Sequence, residues 1–321
     1  RCASWTSEAP VAVGDADQIQ FLKHSTRTRA TINCNFSEHA PCPMEPHHPR
    51  RAPTAAMDPP SPAGARPAMS HSSAFLLPSS ATPAASADAY AVVVLNQRLP
   101  RFAPLLWDRA QVRVCADGGA NRVFDGMPEL LPGHARDDVR SRYKPDVIKG
   151  DMDSVRPEVK EYYSNLGTKI ADQSHDQDTT DLHKCVAFIT DNSPGSDKSN
   201  LCILVLGALG GRFDHEMGNI NVLHLFPNIK IVLLSDDCLI FLLPRTHTHS
   251  IHIERSVEGP HCGLIPVGTP STSTTTTGLR WNLDNTHMSF GGLISTSNIV
   301  DEDQVMVTSD SDLIWTISLR H

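Results

Sequence analysis

The 321-residue chain has no apolar run approaching the roughly 20 residues that a membrane-spanning helix requires, so it is expected to be soluble with no membrane partner. It also lacks a basic excess. With 28 Lys and Arg against 36 Asp and Glu its formal net charge is -8, which argues against a nucleic-acid binder and leaves small molecules and metals as the natural partners. Zinc-type spacing is missing too: the eight cysteines, Cys2, Cys34, Cys42, Cys115, Cys185, Cys202, Cys238 and Cys262, form no CxxC pair and have no partnered histidine. Several sit in apolar runs, Cys202 in "LCILVLG" and Cys238 in "DDCLIFLL", and read as small buried hydrophobes in a reducing, cytoplasmic setting. Acid is nearly lacking from Pro46 to Ala87, where Asp58 stands alone among Pro, Ala, Ser, His and Arg. Such a segment cannot bury enough apolar surface to offset the entropy of ordering it, so residues 1–87 are expected to be a disordered, low-complexity tail outside the fold. Its Arg, Ser and Ala content is similar to that of an organelle transit peptide, although its prolines oppose the amphipathic helix of such peptides.

What is present from Tyr90 onward is regular. "YAVVVLNQ" suits a strand buried on both faces, followed by a short helix near Pro104 to Ala110 and strands "QVRVCA" and "PDVIKG" ending at Asp117 and Asp151. Helices are expected over Arg156–Leu166, Thr179–Ile189 and Phe213–Leu225, with strands "LCILVLG" and "IKIVLLS" among them. Strands alternating with helices imply a parallel sheet covered on both faces, an α/β nucleotide-binding-like domain over 88–245. Beyond it, short alternating segments without helical period predict an antiparallel β-sandwich over 246–321. The histidines of "RTHTHSIHIE" read as solvent-facing strand positions.

Three short clusters within 65 residues together hold six aspartates: Asp117 in "CADGGANR", Asp151 and Asp153 in "KGDMDS", and Asp176, Asp178 and Asp181 in "HDQDTTDLHK". In an extended segment, residues i and i+2 point the same way, so Asp151 and Asp153 would present two carboxylates at the carboxyl end of a strand. An isolated DxD is more often a polar turn; three such clusters together favour a magnesium-phosphate site, since hard cations take oxygen ligands. "DQDTTD" has the residues of a capped helix start, and capping with metal binding is read together there, with Asp181 the metal ligand. "LGALGGRFDHE" is a glycine-rich strand-to-helix turn with Arg212 placed to hold a phosphate, yet it matches neither GxGxxG nor the P-loop pattern. By spacing alone, Trp281 reads as sandwich core.

Taken together, "ADGGANR", "PDVIKGDMDS", "DQDTTD", "GALGGRFDH", "CGLIPVG", "TTTTGLRWNL" and "GGLISTSN", in this order, closely resemble eukaryotic thiamine pyrophosphokinases of the plant type, over about Tyr90 to Leu319. The resemblance implies transfer of the pyrophosphoryl group of ATP to the hydroxyl of thiamine, with Mg²⁺ as cofactor and AMP as second product. It also implies a homodimer with active sites between subunits. Asp151, Asp153 and Asp181 match the positions expected to hold Mg²⁺, and Asp117 or one of that trio would accept the alcohol proton. Gln177, Thr180, Arg212 and Asp214 fall in motifs used around the nucleotide. Trp281 matches a tryptophan that stacks on the thiazolium, overturning the core reading, while Ser297 and Asn298 match thiamine contacts from the partner subunit. Two other readings compete: a different DxD transferase using a nucleotide diphosphate donor, and a non-catalytic thiamine-binding protein.

Overall fold

The computed structural model describes residues 66–78, 90–176, 178–193 and 201–320, all within one compact unit, Pro62–His321. Of the expected tail, residues 1–65 and 79–87 lie outside the described residues. The remainder departs from expectation. Ala68–His71 is a strand, β1, followed by a 3-10 turn over Ala74–Leu76.

The α/β half runs β2 (Tyr90–Val94), α1 (Ala103–Arg109), β3 (Val112–Ala116), α2 (Gly119–Leu130), α3 (Arg136–Arg142), β4 (Val147–Gly150), α4 (Pro157–Asn165), β5 (Lys169–Asp172), α5 (Asp181–Asn192), β6 (Cys202–Leu206), α6 (Phe213–Leu225) and β7 (Lys230–Leu234). The β-rich half continues with β8 (Cys238–Leu243), β9 (Thr248–His252), β10 (Glu258–Ile265), β11 (Ser271–Thr277), β12 (Thr286–Met288), β13 (Ser295–Ile299), β14 (Gln304–Ser309) and β15 (Leu313–Leu319).

Strands β7-β6-β2-β3-β4-β5 are parallel neighbours, as the alternating pattern predicts. The order reverses at β2: the chain builds outward through β3, β4 and β5, then returns to add β6 on the other side. β2 and β6 are apolar throughout because both faces are covered. Val92, Val94, Leu204 and Leu206 pack with Leu106 and Trp107 on one face; Val93, Ile203 and Val205 pack with Leu182, Val186 and Leu223 on the other.

The two halves share a sheet. β8 pairs antiparallel with β7 and, on its far edge, with β15, and β10 and β13 follow, so ten strands are continuously hydrogen-bonded. A second sheet, β1-β9-β14-β11-β12, lies within the same apolar cluster, which joins Ile251, Val305 and Leu264 to the Val92 face.

β1 joins this sheet by parallel pairing with β9, from Ala68 opposite Thr248 to His71 opposite Ile251. Its composition is tail-like, but its edge hydrogen bonds and one buried histidine outweigh that. His249 points inward, not to solvent as its alternation with His247 and His252 suggested. Its Nε2 donates to the Pro244 carbonyl at 2.9 Å, which leaves Nδ1 to accept from His71 Nε2 at 3.0 Å. His71 in turn stacks on Phe241, ring centroids 4.6 Å apart.

Candidate active site

β3 ends at Ala116 and the chain turns sharply at Asp117, whose φ of 41° lies in the left-handed region. The following helix starts so close to β2 that a Cβ on Gly119 would sit 2.0 Å from the Val94 carbonyl oxygen; only glycine fits. Asp117 is 1% exposed and accepts hydrogen bonds from the backbone N–H groups of Ser154 (2.8 Å) and Val155 (2.9 Å). It thereby ties the loop after β4 to the end of β3. In that loop Met152 has a φ of 65°, so "DMD" is a turn and not the extended segment that the i, i+2 argument assumed. The carboxylates converge through this turn instead: one oxygen from each of Asp117, Asp151 and Asp153 lies within 4.8 Å of the others.

Gly150 closes the arrangement from below. Its φ is +154°, and a Cβ there would lie 2.8 Å from the Asp117 Cβ and 2.9 Å from Asp181 Oδ1. The glycine thus lets carboxylates from three segments approach one another. Burial and crowding show in the titration of Asp181 and Asp117. Burial pushes the Asp181 carboxyl up to about 6, with Asp151 and Asp117 adding to the effect and Lys184 opposing it. Asp117 is raised as well, first by burial, against the pull of its two N–H donors.

An all-oxygen donor set carrying unbalanced negative charge fits a hard divalent cation such as Mg²⁺. The converging set differs from the expected one: Asp117 joins Asp151 and Asp153, while Asp181 stands beside them across Gly150. Among the described residues no other group of three such donors converges.

Beside these acids is a cavity of about 450 Å³, lined among others by Asp151, Thr180, Asp181, Gly210 and Asp214. Thr180 caps α5, its Oγ1 accepting from the His183 N–H at 3.3 Å. Asp176 accepts from the N–H groups of Asp178 (3.1 Å) and Thr179 (3.2 Å) and from the Thr179 hydroxyl, so it shapes the turn. Gln177 lies outside the described residues. Arg212 is exposed and paired with Asp214, its Nε donating to Oδ1 at 3.1 Å.

Sequence reasoning missed Asn96 and Gln97, which line the same cavity after β2. Two polar amides directly after an entirely apolar strand were the available signal. It also missed how the 207–211 turn is held: Asn219 donates to the Ala208 carbonyl at 2.8 Å, and Glu216 accepts from the Gly210 N–H at 2.7 Å.

Asn298 and its neighbour Ser297 do meet Trp281, and none of the three lines the acid-lined cavity of this chain. Trp281 is 58% exposed, unlike the buried Trp107 and Trp315, so the core reading from spacing fails. Asn298 is buried and grips the tryptophan's main chain at both ends, Oδ1 accepting from the Trp281 N–H (3.2 Å) and Nδ2 donating to its carbonyl (2.9 Å). Ser297, next to it, is exposed with a φ of 56°.

Two family models match the chain: "Thiamin pyrophosphokinase, catalytic domain" over residues 103–233, and "Thiamin pyrophosphokinase, vitamin B1 binding domain" over 248–314. Thiamine pyrophosphokinase 3 of Oryza sativa subsp. japonica is 82% identical over 262 residues, 80% of this chain and 98% of that protein. Thiamine pyrophosphokinase 1 of Arabidopsis thaliana is 62% identical over 252 residues, 78% of this chain and 94% of that protein. Among solved structures, thiamin pyrophosphokinase from Candida albicans aligns with a TM-score of 0.64 at 25% identity, covering 81% of this chain and 95% of that one. The chain belongs to the thiamine pyrophosphokinase family.

Proposed function

We propose that the protein transfers the pyrophosphoryl group of ATP to the hydroxyl of thiamine, giving thiamine diphosphate and AMP. The observation that carries this reading is the convergence of Asp117, Asp151 and Asp153, with Asp181 beside them, next to a cavity at the strand ends. Open α/β sheets bind ligands at that edge. Asp151, Asp153 and Asp181 would hold Mg²⁺. When bound, the ion would neutralise charge on the phosphate oxygens of the transferred group. Asp117, its carboxylate engaged by two backbone N–H donors, positions the loop that carries the other acids. That leaves one of the trio to accept the alcohol proton. Thr180 and Asp214 line the space where the phosphates would sit, with Arg212 paired to Asp214 and the glycine turn after β6 beside it.

Trp281 would stack its indole on the cationic thiazolium, which suits an exposed aromatic face. Because the Trp281 corner does not line the acid site of its own chain, the reading includes a homodimer in which a second copy supplies the corner. In support, Phe213 and Phe290 are 73% and 62% exposed, large apolar groups suited to burial between copies. The test is AMP release from ATP, thiamine and Mg²⁺. The wild type should give AMP and thiamine diphosphate in equal amounts, and Asp153→Ala should not; full activity in the variant would remove Asp153 from the site.

A further inference from the structure

The turn that carries Asp151 and Asp153 is anchored at its two ends and not in its middle. Ahead of it Gly150 belongs to β4, and its carbonyl accepts from the Gln173 N–H at 2.7 Å. Asp151, Met152 and Asp153 themselves make no backbone–backbone hydrogen bond among the described residues, and Met152 is held at positive φ. A strained turn of this kind keeps one shape only where its surroundings over-determine it. Behind the turn, side chains do so.

They come from the start of α2. Asp117 takes the N–H groups of Ser154 and Val155, and Asn121 takes the next one: its Oδ1 accepts from the Arg156 N–H at 3.0 Å while its Nδ2 donates to the Ser154 carbonyl at 2.9 Å. Three successive N–H groups and one carbonyl are thus held by two side chains. The segment bearing them has no room to shift, since Gly119 is pressed against the Val94 carbonyl and a Cβ on Gly118 would collide with the Asn96 side chain. Asn121 is half-buried, uncharged, and does not line the acid-lined cavity. Asp125, one turn further along α2, pairs instead with the Arg156 guanidinium at 3.0 Å.

We propose that Asn121 is a positioning residue for the acid site: by fixing Ser154 and Arg156 it sets where the 151–153 turn rejoins the fold, and so the spacing at which Asp151 and Asp153 meet a divalent cation. The assignment rests on the Mg²⁺-dependent reading above. Mg²⁺ demands near-ideal placing of its oxygens, and a residue behind its ligands acts on its affinity without touching it. Ser154 carries the effect forward, because its hydroxyl donates to Asp153 at 2.8 Å while its N–H and carbonyl are the groups that Asp117 and Asn121 hold. Replacing Asp117 would remove a charge from the cluster together with its two hydrogen bonds. Replacing Asn121 changes the geometry alone.

The test uses the full chain with Asn121→Ala, Asn121→Asp and Asp125→Ala. Amide exchange at 154–156 is measured without substrates, and AMP formation is measured against Mg²⁺ concentration, with Tm as a control for folding. Asn121→Ala is expected to speed exchange at Arg156 while Asp117 still protects Val155, to raise the half-saturating Mg²⁺ concentration and lower kcat by roughly tenfold each, and to leave both KM values at saturating Mg²⁺ within about twofold. Asn121→Asp keeps an acceptor for the Arg156 N–H and loses the donor to Ser154, so it should restore protection at Arg156 and reduce the Mg²⁺ effect to about threefold. Asp125→Ala should lower Tm and leave the Mg²⁺ requirement within about twofold. A folded Asn121→Ala protein with wild-type exchange at Arg156, or with a wild-type Mg²⁺ requirement, would overturn the assignment. So would Asp125→Ala acting on the Mg²⁺ requirement as strongly as Asn121→Ala, since docking of α2 in general would then be the cause. A wild type that forms no AMP from ATP and thiamine would instead sink the underlying reading, and the exchange pattern still decides whether Asn121 holds the loop.

Discussion

The strand ends that carry the aspartates and the corner that carries Trp281 are built in opposite ways. At the strand ends the backbone itself is bent out of its usual range. Asp117 and Met152 have positive φ, Gly150 is irreplaceable on steric grounds, and acids from three segments are forced together where burial raises the affinity of Asp117 and Asp181 for protons. The Trp281 corner has positive φ too, at Ser297, but there a single exposed ring is held through its main chain by one buried amide. The first holds strained charge within one chain; the second offers an uncovered aromatic face. Charge has to be concentrated before a phosphate and its metal arrive, whereas stacking on a ring needs only that the ring be presented at a fixed angle.

The largest effect that would separate these roles is expected from Asp151→Asn or Asp153→Ala, each lowering the rate of AMP formation by about 10²–10³-fold or more, as the loss of a principal electrostatic group does. Steady-state rates at saturating thiamine, ATP and Mg²⁺ check this. A loss confined to thiamine KM would reverse the assignment. Next is Gly150→Ala, where strain at positive φ of about 1–3 kcal/mol joins a collision with Asp117 and Asp181. Tm and activity should fall together. Gly291→Ala provides the contrast: φ is 78°, but its Cβ would meet nothing within 4 Å, so it should lose stability alone.

Trp281→Ala is expected to raise the thiamine KM by roughly tenfold or more, from a cation–π contact of up to about 2 kcal/mol, and to leave the ATP KM within about twofold. Equal effects on both substrates would count against stacking. Asn298→Asp, which keeps the acceptor for the Trp281 N–H but loses the donor to its carbonyl, should raise thiamine KM only a few-fold, in line with about 1 kcal/mol for one hydrogen bond. If Asn298→Asp acts as strongly as Trp281→Ala, the amide does more than hold the tryptophan.

The smallest expected effect concerns β1. Burial lowers His71 to about 2 and His249 to about 4, against an ordinary 6.5; the neighbouring charge of Lys230 and the ring of His247 add to the shifts, and Asp312 opposes them at His249. When β1 detaches, these imidazoles regain their ordinary affinity for protons, so attachment weakens as pH falls from about 6.5 toward 4. Glu258, pushed up to about 7 by burial, works the other way: its share is complete below 4.5 and lost as pH rises through 7. Amide exchange protection at 68–71, corrected for intrinsic rates, should therefore be greatest near neutrality and fall by pH 5. Flat protection across that range would dismiss the histidine pair as a pH-sensitive contact.

Much of this was legible in the sequence for reasons of chemistry. The strands are apolar throughout or alternate, and α6 lies over the residues its pattern marks, Phe213–Leu225. The acids announced themselves because three clusters of them, two beside glycines, make poor structural filler. The rest was hidden where local composition and tertiary context disagree. β1 has the Pro- and Ala-rich surroundings of a tail and is recruited by a neighbouring edge. α2 contains Gly126 and Pro128, which weaken any helical signal. Trp281 and Trp315 both stand among β-forming residues, and spacing cannot tell the exposed ring from the buried one. The convergence of Asp117 with the DMD loop depends on two positive-φ residues that no periodicity reveals.

The continuous sheet has a mechanical consequence. Because β7, β8 and β15 are joined edge to edge across the boundary between the two halves, the described residues include no linker about which one half could swing over the other. Bending it there would break a row of backbone hydrogen bonds. Any closure over a ligand at the strand ends must come from the loops there, since the ten-stranded sheet ties the described parts of the two halves together.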